Sequence, residues 1–218
     1  MILTHLDHLV VTAPTLEAGA EWIRQSLGAE LRPGGAHARM GTHNLLLRLS
    51  ADVYLEVIAS DPVAPSPGRP RWFGLDELSP NSRPRLAAWV GRTNDLLGVV
   101  AASPYSIGPI EPMSRDVFNW QITVPTDGSL PFGGAGPLLI QWDSFPHPAS
   151  RLPDDGYSLV RLDVTHPRAD RFNAMLEAIG FQGPVIIGHG ESIELTAIIM
   201  TPLGKRRLSS ILGPAKVR

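Results

Sequence analysis

The chain of 218 residues carries 19 Lys and Arg against 21 Asp and Glu, and its net charge of -2 includes no basic run that would track a phosphate backbone, so a nucleic-acid partner is not expected. The absence of cysteine excludes disulfides, thiolate nucleophiles and zinc-thiolate sites, while 43% apolar residues are enough to build a core. His5, Asp7 and His8 stand where a leader would need basic and then apolar residues, and no apolar run nears the roughly 18 residues of a membrane span, so a soluble cytoplasmic protein is expected.

Leu3 to Thr12 reads as an early, buried strand that Pro14 ends. Thr15 can cap a helix with Leu16, Ala20, Ile23 and Leu27 on one face and Gly28 placed to stop it. Four short extended runs follow, over 29–32, 36–40, 44–49 and 53–59, divided by Pro33-Gly34-Gly35, Gly41 and Ser50-Ala51-Asp52. A Pro-rich crossing over 61–70 leads to Trp72 and Phe73, which can cover the core edge or wall a pocket.

The same element order then returns. A strand over 86–92, a short helix opened by Asn94-Asp95, and strands over 105–110, 117–124 and 138–143 make an internal repeat of order without much repeat of identity. Residues 157–200 begin a third, shorter copy: a strand to Thr165, a helix after His166-Pro167, and further strands over 185–187 and 193–200. Its counterpart of Glu56 is Glu194 and the register of His8 falls on Arg161, so this copy reads as scaffold.

Two polar residues interrupt the apolar strands of the first unit, His8 and Glu56. A lone strand histidine is ordinarily a satisfied core residue, but a carboxylate in so apolar a strand is costly unless it is paired, protonated or bound to a metal. Aligning the helix starts Thr15-Leu16 and Asp95-Leu96 sets Ala88 opposite His8, and aligning 54–58 with 139–143 sets Gln141 opposite Glu56. Asn44 and Arg92 are candidates to bind a carboxylate or carbonyl, and Trp120 and Trp142 to wall the pocket.

The strand-borne histidine in Leu-Asp-His-Leu-Val-Val and glutamate in Tyr-Leu-Glu-Val-Ile, with the segments 41–49, 71–76, 92–96, 139–142, His147-Pro148-Ala149 and His166-Pro167, resemble the vicinal oxygen chelate superfamily, which includes glyoxalase I, extradiol dioxygenases and bleomycin-resistance proteins. Within it the chain looks like the glyoxalase-like domain group. The resemblance implies an α+β fold: paired βαβββ modules (1–60 and 85–146, joined by 61–84) forming a half-barrel around a pocket, with a third partial βαββ module over 147–218. It further implies a divalent metal, zinc, nickel, manganese or iron, held by His8, Glu56 and Gln141, with Glu56 moving a proton on a small oxygenated substrate in a lyase, isomerase or dioxygenase reaction. The alternative is a metal-free small-molecule-binding protein of the bleomycin-resistance type, suggested by Ala88 and the neutral Gln141. Either form needs only a small-molecule partner, as a monomer or a homodimer.

Overall fold

The computed structural model describes residues 2–210. In the first unit, β1 (Thr4–Thr12) leads to α1 (Leu16–Leu27), which Thr15 caps by accepting the Ala18 N–H and Gly28 ends at φ 73. The strands β2 (Arg32–His37), β3 (Thr42–Arg48) and β4 (Tyr54–Ser60) run as an antiparallel meander that brings β4 back parallel to β1. The second unit repeats the pattern with β5 (Arg85–Thr93), α2 (Leu96–Ala102), β6 (Ile110–Arg115), β7 (Phe118–Thr123) and β8 (Leu138–Trp142).

Antiparallel pairing of β1 with β5 fuses the units into one sheet of strand order β2-β3-β4-β1-β5-β8-β7-β6. The sheet curls until its edge strands β2 and β6 approach each other, and Arg39 and Arg69 both pair with Glu111 beside that seam. Its two faces carry separate cores. Leu9, Val11, Leu55, Val57, Leu86, Trp89 and Leu139 look outward to α1 and α2, whereas Val10, Ile58, Ala88, Val90, Trp120, Ile122 and Ile140 line the concave side.

Three expected runs are corrected. The runs 29–32 and 36–40 are not separate strands: the single strand β2 crosses Pro33-Gly34-Gly35, because a bulge between Pro33 and Gly35 absorbs the extra residue instead of a turn. The run 105–110 is not β6. Gly108 at φ 94 and the following Pro109 interrupt the extended chain, and the strand starts at Ile110.

The remaining chain forms β9 (Ser158–His166), α3 (Ala169–Ala178), a two-residue β10 (Phe181–Gln182) added beside β1, and β11 (Val185–His189), β12 (Glu194–Thr201) and β13 (Gly204–Ser209). The element order of the first two units recurs but the pairing does not. β9 lies parallel to β11 and antiparallel to β12 in a sheet of order β11-β9-β12-β13, where β1 pairs with the last strand of its unit. Leu162, Val164, Phe172, Leu195 and Ile199 join the outer core, so this sheet packs on the convex side, away from the pocket. Residues 211–218 of the expected third module lie outside the described residues. No helix among the described residues is long and apolar enough to cross a membrane.

Candidate functional site

A bulge in β1 builds the centre of the concave face. The β1–β5 ladder pairs Leu6 with Gly91 and His8 with Val90, leaving Asp7 as an extra residue. Leu6 and Leu9 therefore both reach the outer core, and the two residues between them turn to the concave side together. Asp7 is fully buried and accepts three hydrogen bonds, from His8 Nδ1 at 2.6 Å, Trp142 Nε1 at 2.9 Å and His147 Nε2 at 3.0 Å. Burial alone would raise its carboxyl pKa; the bonds from His147 and His8 outweigh that and hold it well below the usual carboxylate range.

The Asp7 bond fixes the other nitrogen of His8. With Nδ1 turned to the Asp7 carboxylate, Nε2 faces the cavity, 3.7 Å from Glu56 Oε2, while the ring stacks on Tyr54 at 4.5 Å between centroids. Glu56 is 4% exposed and its Oε1 accepts from Asn44 Nδ2, which leaves Oε2 for the cavity. Gly34 makes the Asn44 position possible: a Cβ at Gly34 would overlap Asn44 Oδ1 and come 2.9 Å from Leu46 Cγ. Burial first, and then the charges of Asp7 and Glu56, push the Tyr54 phenol well above its usual range and keep it protonated.

Next to these residues, at the seam, stand His37 at the end of β2 and Arg115 at the end of β6. Burial, then the Arg115 charge, push His37 well below the usual imidazole range, so it is neutral, with Nδ1 3.1 Å from Thr42 Oγ1 and Nε2 accepting from Arg115 Nη1 at 3.4 Å. Trp72 Nε1 donates to the same Thr42 hydroxyl at 3.2 Å. The cavity enclosed by this set, with Trp72, Phe73, Trp120 and Trp142 as walls, measures about 20 Å³, room for roughly one water-sized group.

The structure thus brings His8, Glu56, Asn44, Trp120 and Trp142 together. It separates the other two candidates. Gln141 lies on the opposite face of β8 from Ile140 and Trp142, and its Oε1 accepts the Leu96 N–H at 2.8 Å, serving the start of α2. The ladders explain this: Val10 pairs with Glu56 and its counterpart Val90 pairs with Leu138, so the position equivalent to Glu56 is Leu138. Arg92 sits away from the cavity, bound to Asp52 Oδ2 and to the Asp52 carbonyl, both at 2.5 Å. Asp7, His37, Arg115 and His147 were not among the sequence candidates. Asp7 had a signal in the outward apolar spacing Leu6, Leu9, Val11, where a regular strand would step by two throughout, and His147 lay in a segment that carried the family resemblance.

As a metal site, the donor set supplies an imidazole nitrogen backed by a carboxylate and one carboxylate oxygen, 3.7 Å apart and both turned to the cavity, a separation that two bonds of about 2 Å can span. Both are donor types that a divalent ion takes; at the equivalent positions the second unit carries Ala88 and Leu138, which add no donor. Among the described residues no group of three or more His, Asp or Glu side chains is placed to hold a metal.

Comparison with known proteins yields the following. A hypothetical protein from Staphylococcus aureus is similar in structure with a TM-score of 0.61 at 14% identity, covering 87% of each chain. The Mn(II)-bound glyoxalase from Novosphingobium aromaticivorans gives a TM-score of 0.47 at 10% identity over 95% of this chain and 82% of that one. Methylmalonyl-CoA epimerase from Mycobacterium tuberculosis gives 0.40 at 16% identity over 65% and 88%. A search of curated proteins finds no match. The family model described as "Glyoxalase-like domain" matches residues 6–180. Spanning both concave units and the helix α3, that match agrees with the resemblance carried by the sequence motifs: the chain belongs to the glyoxalase-like domain family of the vicinal oxygen chelate superfamily.

Proposed function

We propose that the chain is a metal-assisted enzyme acting on a small oxygenated molecule, a lyase, isomerase or dioxygenase, with Glu56 as the group that moves the proton. The observation that carries this reading is the buried pair His8 Nε2 and Glu56 Oε2, each anchored from behind by its own partner, Asp7 and Asn44. His8 and Glu56 would hold the ion, which when bound would polarise the oxygens of a chelated substrate. Where a chelating substrate would replace Glu56 on the ion, the Glu56 Oε2 is free to take or return a proton at the carbon beside those oxygens. Asn44 keeps Oε1 occupied so that only Oε2 is free, and Asp7 keeps His8 in the tautomer whose Nε2 faces inward. Trp72, Phe73, Trp120 and Trp142 exclude water from the exchange.

The test is a thermal-shift titration of the purified, chelator-treated protein with Zn²⁺, Ni²⁺, Mn²⁺ and Fe²⁺. Binding to the native state raises the midpoint by mass action, and His8→Ala should abolish the rise. An equal rise in His8→Ala would overturn the reading. One observation favours a second reading, a metal-free binding protein of the bleomycin-resistance type: the second unit faces the cavity with aliphatic side chains where a further donor would stand. Absence of any shift with all four ions, together with a shift on adding a small amphipathic ligand, would select it.

A further inference from the structure

Arg115 is a cation in the wrong place for a structural residue. It is 4% exposed, yet among the described residues its guanidinium has one hydrogen-bond partner, the neutral His37 at 3.4 Å, and one ring, Phe118, at 5.8 Å from its centroid. Its Nε is buried with no partner among the described residues. A guanidinium offers five donors and stays charged, so burying it with no ion-pair partner among the described residues costs stability, which the Glu56 carboxylate lining the same cavity offsets only from a distance. The backbone is shaped to keep it there. Gly35 at φ 135 leaves the space that the Arg115 stem fills, where a Cβ would lie 2.9 Å from Arg115 Cδ and 3.0 Å from Cγ. The side chain so directed lines the same cavity as His8 and Glu56.

We propose that Arg115 is the anion anchor of the pocket and that the substrate is a compact carboxylic acid with an oxygen on the adjoining carbon, a 2-hydroxy or 2-oxo acid. This deepens the preceding reading by giving its substrate a charge and a fixed end. A carboxylate matches the planar fork of a guanidinium with two parallel hydrogen bonds. Held by that end, the acid turns its second carbon and oxygen toward Glu56 Oε2 and His8 Nε2. The small cavity selects against a bulky acyl chain, and a phosphate, which can fill the fork, has no carbon to present to Glu56 Oε2. The size of the cavity also means that the acid must displace part of the aromatic cover, to which Phe73, held at φ 58 in the turn Trp72–Glu77, belongs.

The experiment uses the full chain without added metal, in calorimetric titration and thermal shift, with sodium pyruvate, sodium L-lactate, neutral hydroxyacetone and sodium phosphate at matched ionic strength. The acids should bind and raise the midpoint, with a change in tryptophan fluorescence; hydroxyacetone should do neither, and phosphate should bind more weakly than the acids. Arg115→Met should weaken pyruvate at least tenfold while its own unliganded midpoint stays level or rises by about 2–4 °C, since a buried unpaired charge has been removed. Arg115→Lys, which keeps the charge and the fold but not the fork, should fall between the two. Equal binding of hydroxyacetone or phosphate, undiminished pyruvate binding in either variant, or a lowered unliganded midpoint in Arg115→Met would overturn the proposal. Glu56→Gln should still bind pyruvate. Acid binding without any response to divalent ions would therefore refute the metal-assisted enzyme and leave the anchor standing, and the converse result would do the opposite.

Discussion

The two concave faces share a backbone plan and differ in almost everything that plan carries. β1 and β5 cross as near mirror partners, His8 opposite Val90 and Val10 opposite Ala88, so an imidazole in one unit answers a methyl group in the other. The first unit adds Asp7, His37, Asn44 and Glu56; the second adds Met113, Ile122, Leu138 and Ile140, with Trp120 and Trp142 as walls and Arg115 as its single buried charge. The repeated plan offers two equivalent places for polar groups, and this chain loads one of them. The other half serves by shape: a dry apolar wall lowers the local dielectric and strengthens every interaction the polar half makes.

That contrast can be broken from the polar side first. Gly34→Ala puts a methyl group into Asn44 and Leu46, and should cost about 1–3 kcal/mol of stability in urea denaturation while displacing the donor on Glu56 Oε1. An unchanged denaturation midpoint would mean that Asn44 is not held as described.

Acid should find the same half next. His37 has a folded pKa below its ordinary 6.5, so the unfolded chain takes up a proton that the native state refuses, and stability falls as pH drops below about 6.5. His166, also lowered by burial and then by Arg168, acts in the same direction from outside the pocket, so the comparison to make is wild type against His37→Asn in denaturation series from about pH 8 to pH 4. The variant should show the shallower decline. Asp7, whose folded pKa is depressed, contributes stability above its ordinary 3.8 that is lost only as pH falls below that value.

The smallest effect belongs to the apolar side. Gln141→Ala removes the acceptor for the Leu96 N–H and should cost about 1 kcal/mol, with no change in metal or ligand binding. A loss of metal binding in Gln141→Ala would restore it to the ligand set and erase the contrast.

The repeat, the caps of α1 and the pairing of His8 with Glu56 were readable because they rest on periodicity and on the cost of burying charge. The missed residues share a physical cause, which is irregular strand geometry. Pro33-Gly34-Gly35 has the composition of a turn but forms a bulged strand, and so His37 was assigned to a strand over 36–40 instead of the end of β2. The break at Gly108-Pro109 moved β6 five residues along, leaving Arg115 in what looked like a connection. Gln141 failed because a strand alternates: an alignment shifted by three positions puts a side chain on the other face.

The Asp7 carboxylate ties strand β1 to Trp142 and His147, partners 135 and 140 positions away. An isolated amino-terminal half would retain both inward-facing donors, yet it would forfeit the indole and one of the two imidazoles that keep Asp7 ionised. Severed from the second unit, that fragment would keep the donors and lose their alignment, so the joining of the two units in one chain sets the geometry of the site as well as its packing.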